Sequence, residues 1–227
     1  MRLLFTALAC CTTLNLFCQT TFTLDQLIMN EDSTLVLEKS NNIPVTGIIK
    51  TFYESGALLN EMTIKNGLIE LAKKYYESKE LLYEISYNNN RRDGFGIGYY
   101  KNGKLKQKDF FNNGIKISEK GFYESGELLY EISYNNGLPN IELNYYKNGN
   151  LESRIIIQNQ KKLFETGYYE SGKLKNELTY KNGLLEGICK SFHENGQLSF
   201  EGNFKNNLIE GEAKCWDADG TSIPCED

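Results

Sequence analysis

The phrase FYESGALL at residues 52–59 returns as YYKNGKLK at 99–106, FYESGELL at 122–129, YYESGKLK at 168–175 and FHENGQLS at 192–199. A chain that writes one short phrase in register again and again folds as an array of like units. The turn glycine serves as a ruler. It stands at Gly56, Gly103, Gly126, Gly149, Gly172, Gly196 and Gly220, with Lys79 in the equivalent slot of YYESK. The steps are 23 or 24 residues, and eight copies run from about residue 43 to the end.

Four residues before the ruler stands an aromatic: Phe52, Tyr75, Tyr99, Phe122, Tyr145, Tyr168, Phe192 and Trp216. Two residues after it stands a leucine in seven copies, from Leu58 to Leu198. A second turn follows, as in Asn66-Gly67, Asn113-Gly114, Asn136-Gly137 and Asn182-Gly183. Each unit therefore reads as strand, turn, strand, turn, because Asn and Gly reach the positive φ that tight hairpins require. The Glu-Ser-Gly turn predicts a three-residue loop with glycine in the left-handed position, which puts the aromatic opposite the leucine.

Strict alternation then predicts two faces. One carries the aromatic and leucine with Met62, Ile85, Ile132, Ile155 and Leu178, and with Ile64, Tyr87, Phe111 and Tyr134. The other carries Tyr53, Tyr76, Tyr100, Tyr123, Tyr146, Tyr169 and His193 beside Glu61, Glu84, Glu131, Glu177 and Glu201. The wobble between 23 and 24 also has a pattern. The extra residue travels with Gly47, Gly94, Gly187 and Gly211, which predicts a bulge or wider turn there. Glu70, Ile117, Asn140 and Leu163 hold that slot in the other copies.

The expected fold is all-β: an elongated, single-layer antiparallel meander of about eight β-hairpin repeats, with strands ~4.8 Å apart. Helix signals are scarce, with TLDQLIMN at 23–30 a marginal one. Residues 1–18 differ from the rest, with Arg2 followed by the apolar run LLFTALACCTTLNLF. That pattern predicts a signal peptide cut near Cys18, hence export to the periplasm, cell surface or medium. Residues 19–42 are then an N-terminal cap segment, and 43–227 the array. Removing the leader would leave Cys189, Cys215 and Cys225, with Cys215 and Cys225 flanking the last hairpin as a possible disulfide. The formal net charge of −5 with no basic stretch speaks against nucleic acid and against anionic membrane as partners.

The residues Tyr168-Tyr169-Glu170-Ser171-Gly172-Lys173-Leu174, then Glu177, Tyr180, Asn182-Gly183-Leu184 and Glu186-Gly187, resemble the MORN repeat, and more closely its bacterial variant. The copy from Phe192 to Leu198 with Glu201-Gly202, Phe204 and Glu210-Gly211 repeats the match. Ile117, Asn140 and Leu163 depart from it, which predicts less regular pairing in the middle copies. The resemblance implies hairpin arrays that serve as interaction scaffolds. Some members of the family look like antitoxins of toxin–antitoxin pairs; others are exported.

The residues offer little chemistry. His193, the single histidine, holds a slot that is tyrosine in other copies and so reads as a ladder residue. The glutamate column invites comparison with paired-carboxylate hydrolases, but identical slots repeat for structural reasons. Gly94-Phe95-Gly96-Ile97-Gly98 lacks the lysine and helix of a phosphate loop and reads as turn and bulge positions. No cofactor, no metal site and no catalytic residue are expected. The expected function is binding of a protein or surface polymer along the tyrosine face, which is rich in the residue that favours binding surfaces. An antitoxin-like neutraliser of a toxin is the alternative. A homodimer through the apolar face or an end strand is a further way to cover it.

Overall fold

A computed structural model describes residues 20–225; the leader-like residues 1–18 lie outside them. Nineteen strands form one sheet, open at both ends, in which each hairpin pairs with the next. The array starts with Gly47–Phe52 and Leu58–Lys65, and ends with Lys214–Trp216 and Ser222–Ile223. A short strand, Thr21–Phe22, adds to the first edge in parallel with Gly47–Phe52.

The first turn forms as its residues require. Gly56 N–H donates to the Tyr53 carbonyl and Tyr53 N–H to the Ala57 carbonyl, closing a three-residue loop. The ruler glycines all have positive φ, and so does Lys79 at +84°. In the second turn Asn66 and Gly67 both have positive φ, as an Asn-Gly hairpin needs. The aromatic and leucine are register partners in all seven full copies, from Phe52 with Leu58 to Phe192 with Leu198.

The expected faces are corrected by a bulge. Thr51 pairs with Asn60, but Phe52 pairs with Leu58, so Leu59 is an extra residue. The same shift recurs at each first turn. One extra residue reverses parity along the outgoing strand. The aromatic–leucine pairs therefore share a face with Glu61, Glu84, Glu131, Glu177 and Glu201. The Met62 and Ile64 columns share the opposite face with Tyr53 and its equivalents. An extended face combining the tyrosine and glutamate columns does not exist.

We call these the outer and inner faces. Glycines aside, every buried residue of the described sheet is on the inner one: Ile49, Ile64, Ile85, Asp109, Phe111, Ile155 and Cys189. Its central column runs Met62, Ala72, Ile85, Gly96, Asp109, Glu119, Ile132, Glu142 and Ile155. Over the first hairpins that face is covered by residues 21–45. Leu24–Gln26 is a single 3-10 turn, where Thr23 N–H donates to Gln26 Oε1 at 2.8 Å, rather than a longer helix. Leu27–Met29 then pairs with Val36–Glu38, and Val36 and Val45 pack on Ile49 and Ile64.

The wobble of the repeat counts bulge residues at the second site. In the Ile117 copy, Lys116 pairs with Phe111 and Ser118 with Phe110, one residue in excess. Shifts of the same size fall at Glu70, Asn140 and Leu163. In the Gly94 copy, Arg92 pairs with Tyr87 and Gly96 with Ile85, two in excess. Gly94, Gly187 and Gly211 have φ of +86°, +90° and +88° at these wider excursions. Gly47 differs: it pairs regularly with Ile64, and a Cβ there would run into the Thr20 carbonyl. The middle copies keep continuous strands, against expectation, with a single bulge residue each. Leu138–Tyr145 and Leu151–Gln158 are unbroken, whereas the strands around Gly187 and Gly211 are interrupted.

Candidate binding surface

The tyrosine column is the first candidate. Tyr53 Oη donates to the Tyr75 carbonyl (2.8 Å), Tyr76 to Tyr99 (3.0 Å) and Tyr100 to Phe122 (2.7 Å). Tyr123 donates to Tyr145 (3.1 Å), Tyr146 to Tyr168 (2.8 Å) and Tyr169 to Phe192 (2.6 Å). His193 Nε2 makes the seventh bond, to the Trp216 carbonyl at 2.8 Å, so that nitrogen carries the proton. Each side chain thus staples its repeat to the next. Lysines cover several of the rings: Lys101 over Tyr76, Lys106 over Tyr100, Lys147 over Tyr123 and Lys175 over Tyr169, 5.6–5.7 Å from the centroids. These tyrosines spend their polar ends inside the array.

The remaining inner face is also occupied by its own side chains. Tyr83 and Tyr130 lie across glycines, Gly96 and Gly121, at which any Cβ would overlap the ring. Gly96 and Gly98 belong to paired strand, not to a turn, and Gly96 makes room for Tyr83. Lys116 bridges the carboxylates of Asp109 (3.0 Å) and Glu119 (2.7 Å). Tyr83 bonds Asp109, while Tyr130 and Tyr134 bond Glu119. Burial alone would raise the Glu119 carboxyl, but the bonds from Lys116 and both tyrosines hold it below the usual range. Burial and the neighbouring carboxylates push the Tyr83, Tyr130 and Tyr134 hydroxyls up.

The outer face is different. Its aromatic–leucine column runs the length of the sheet, with Phe52 53% exposed. Beside it runs a charged column in which Lys50 meets Glu61 (3.5 Å), Lys120 meets Glu131 (3.1 Å) and Lys190 meets Glu201 (3.4 Å). These glutamates are salt-bridged surface groups. A third column holds Phe95, 48% exposed, and Ile188, 58% exposed. At mid-sheet a hollow of about 430 Å³ opens between Phe95, Leu105, Phe110, Phe122 and Leu128.

A family model described as MORN repeat variant matches residues 45–66, 71–89, 93–113, 118–136, 165–182 and 185–206, and the MORN repeat model matches 200–222. The chain belongs to the MORN repeat variant family. MORN repeats are protein- and membrane-binding repeat modules. The match omits 137–164, where Asn140 and Leu163 replace the glycine, yet those residues build MORN-like hairpins. No curated protein matches the chain. Among solved structures it is similar to a mutant of S. aureus TarM in complex with Fondaparinux, alpha-GlcNAc-glycerol and UDP. That match has 14% identity and a TM-score of 0.32 over 51% of this chain and 21% of the other. A porin-like protein from Bacteroides uniformis matches at 8% identity and a TM-score of 0.23, over 78% and 91%. The chain thus spans about a fifth of TarM.

The disulfide joins Cys215 and Cys225, with Cα atoms 5.3 Å apart, and ties the last short strands together. Cys189 is buried on the inner face. The outer hollow was the surface that sequence reading missed. Its signal is the bulge after each leucine, which no residue type marks: Leu59, Leu82, Lys106, Leu129, Glu152, Lys175 and Ser199 all occupy it.

Proposed function

We propose that this chain is an exported, non-enzymatic interaction module that captures a protein partner on the outer face of its MORN array. One observation carries the reading: aromatic–leucine pairs stack in register along a face that the cap leaves open, because the cap packs on the inner side. Aromatic and aliphatic anchors in partly formed hollows are what protein interfaces use as their energetic centres. Leucines on both sides of the mid-sheet hollow suit apolar side chains of a protein better than the ring faces of a polymer. The tyrosine column supports this surface from behind by fixing the spacing of the repeats. Export rests on the leader-like residues 1–18, and mass spectrometry of the mature N-terminus tests it.

The binding test uses the full chain as bait in its native secretome. Phe95→Asp with Phe122→Asp is expected to abolish capture while the far-ultraviolet spectrum of the sheet persists. Undiminished capture by this variant would reject the outer face.

A further inference from the structure

We infer that the mid-sheet hollow of the outer face recognises an acidic segment of a protein partner, with Lys108 as the group that selects it. This rests on the reading of the outer face as the binding surface. At its two ends the charged column alternates in sign: Lys50, Glu61, Lys73, Glu84 at one and Lys190, Glu201, Lys214 at the other, while Leu143 and Thr166 interrupt it between Glu131 and Glu177. At the hollow the alternation breaks. Lys108 has Ile97 as its register partner on one side and Lys120 on the other. Like charges directly opposite on neighbouring strands destabilise a sheet. Lys120 is answered by Glu131 at 3.1 Å. Lys108 forms no ion pair among the described residues; its ammonium rests over the Phe95 ring, 4.1 Å from the centroid.

The unanswered cation lies at the rim of the apolar hollow, beside exposed Phe95 and its neighbour Phe110, 5.1 Å away. A carboxylate placed between Lys108 and Lys120 would separate the two like charges and restore there the alternation that the ends of the column keep. Apolar residues flanking that carboxylate would enter the hollow. The complementary ligand is therefore a peptide that alternates acidic and apolar residues.

The test measures binding of three labelled, terminally blocked decapeptides to the full chain by fluorescence anisotropy at low salt. They alternate leucine with glutamate, glutamine or lysine. The glutamate peptide is expected to bind at least about tenfold tighter than the glutamine one, and more weakly as salt rises, since exposed charges are screened. Lys108→Glu should erase that preference. Lys161→Glu, the same charge change on an exposed strand end two repeats away, should leave it. Equal binding of all three peptides would overturn the anionic preference while leaving the aromatic face as a binding surface. Binding of none, or of polygalacturonate in place of the acidic peptide, would overturn the inference outright.

Discussion

The Tyr146 hydroxyl donates to the carbonyl of Tyr168, one repeat further along, at 2.8 Å. That carbonyl belongs to the residue at which the ladder shifts register, Gly167 pairing with Asn176 and Tyr168 with Leu174. The hydroxyl therefore satisfies a backbone acceptor where the ladder shifts register. Tyr146→Phe removes one hydrogen bond and leaves the packing, so it should cost about 1 kcal/mol. For a chain of this size that corresponds to a melting point lower by about 2–4 °C. Hydrogen exchange should quicken at the junction of these two repeats first, because each unit depends mainly on its neighbours. An unchanged melting point would remove the staple from the account of stability.

His193 performs the same task for Trp216 at 2.8 Å. Substituting the residue that the other copies use, His193→Tyr, should therefore keep or raise the melting point. His193→Leu should lower it by the worth of the bond, again about 1 kcal/mol. If the tyrosine variant melts as early as the leucine one, the slots are not equivalent.

Lys79 occupies a glycine slot with φ of +84°. A side chain in the left-handed region costs roughly 1–2 kcal/mol, partly offset by the entropy that glycine retains in the unfolded chain. Lys79→Gly should stabilise by about 0.5–1 kcal/mol in a denaturant titration. Gly126→Ala, at φ of +116°, should destabilise. A destabilised Lys79→Gly would show that Lys79 makes contacts worth more than its strain.

Repeat number, hairpin turns and the pairing of Phe52 with Leu58 were legible in the sequence because each rests on local rules: an aromatic, a turn glycine and a leucine at fixed spacing. The faces were not, because Leu59 looks like any strand residue and nothing in its type announces a bulge. The length wobble did hold information. It counts one bulge residue at Ile117 and two at Gly94, although sequence alone tied the bulge to glycine only. The partner surface depended on the face assignment, so the tyrosines were read as open when their hydroxyls were committed. The placement of Tyr130 across Gly121 was also hidden, since it requires the register of two strands at once.

The Lys116 cluster gives the pH dependence its sign. Asp109 is 3% exposed, and Lys116 is its bonded cation. Burial alone would lower the Lys116 ammonium, but the bonds it donates to Glu119 and Asp109 raise it; Glu119 is correspondingly lowered. A lowered carboxyl stabilises the fold above its unfolded value of ~4.3 and loses that contribution as pH falls through the folded value. A raised ammonium stabilises below its unfolded value of ~10.4 and is lost as pH rises through the folded one. The parent chain should thus hold a stability plateau between about pH 5 and 10, falling on both sides. Lys116→Met breaks a buried pair and leaves the buried Asp109 without its cation, a loss of about 3–5 kcal/mol. In that variant burial still raises the Glu119 carboxyl and only the bonds from Tyr130 and Tyr134 lower it, so it is lowered less than in the parent. Its melting point should therefore fall less than that of the parent as pH drops below about 5. A variant that loses stability with acid in parallel with the parent would show that the cluster is not coupled to folding through Lys116.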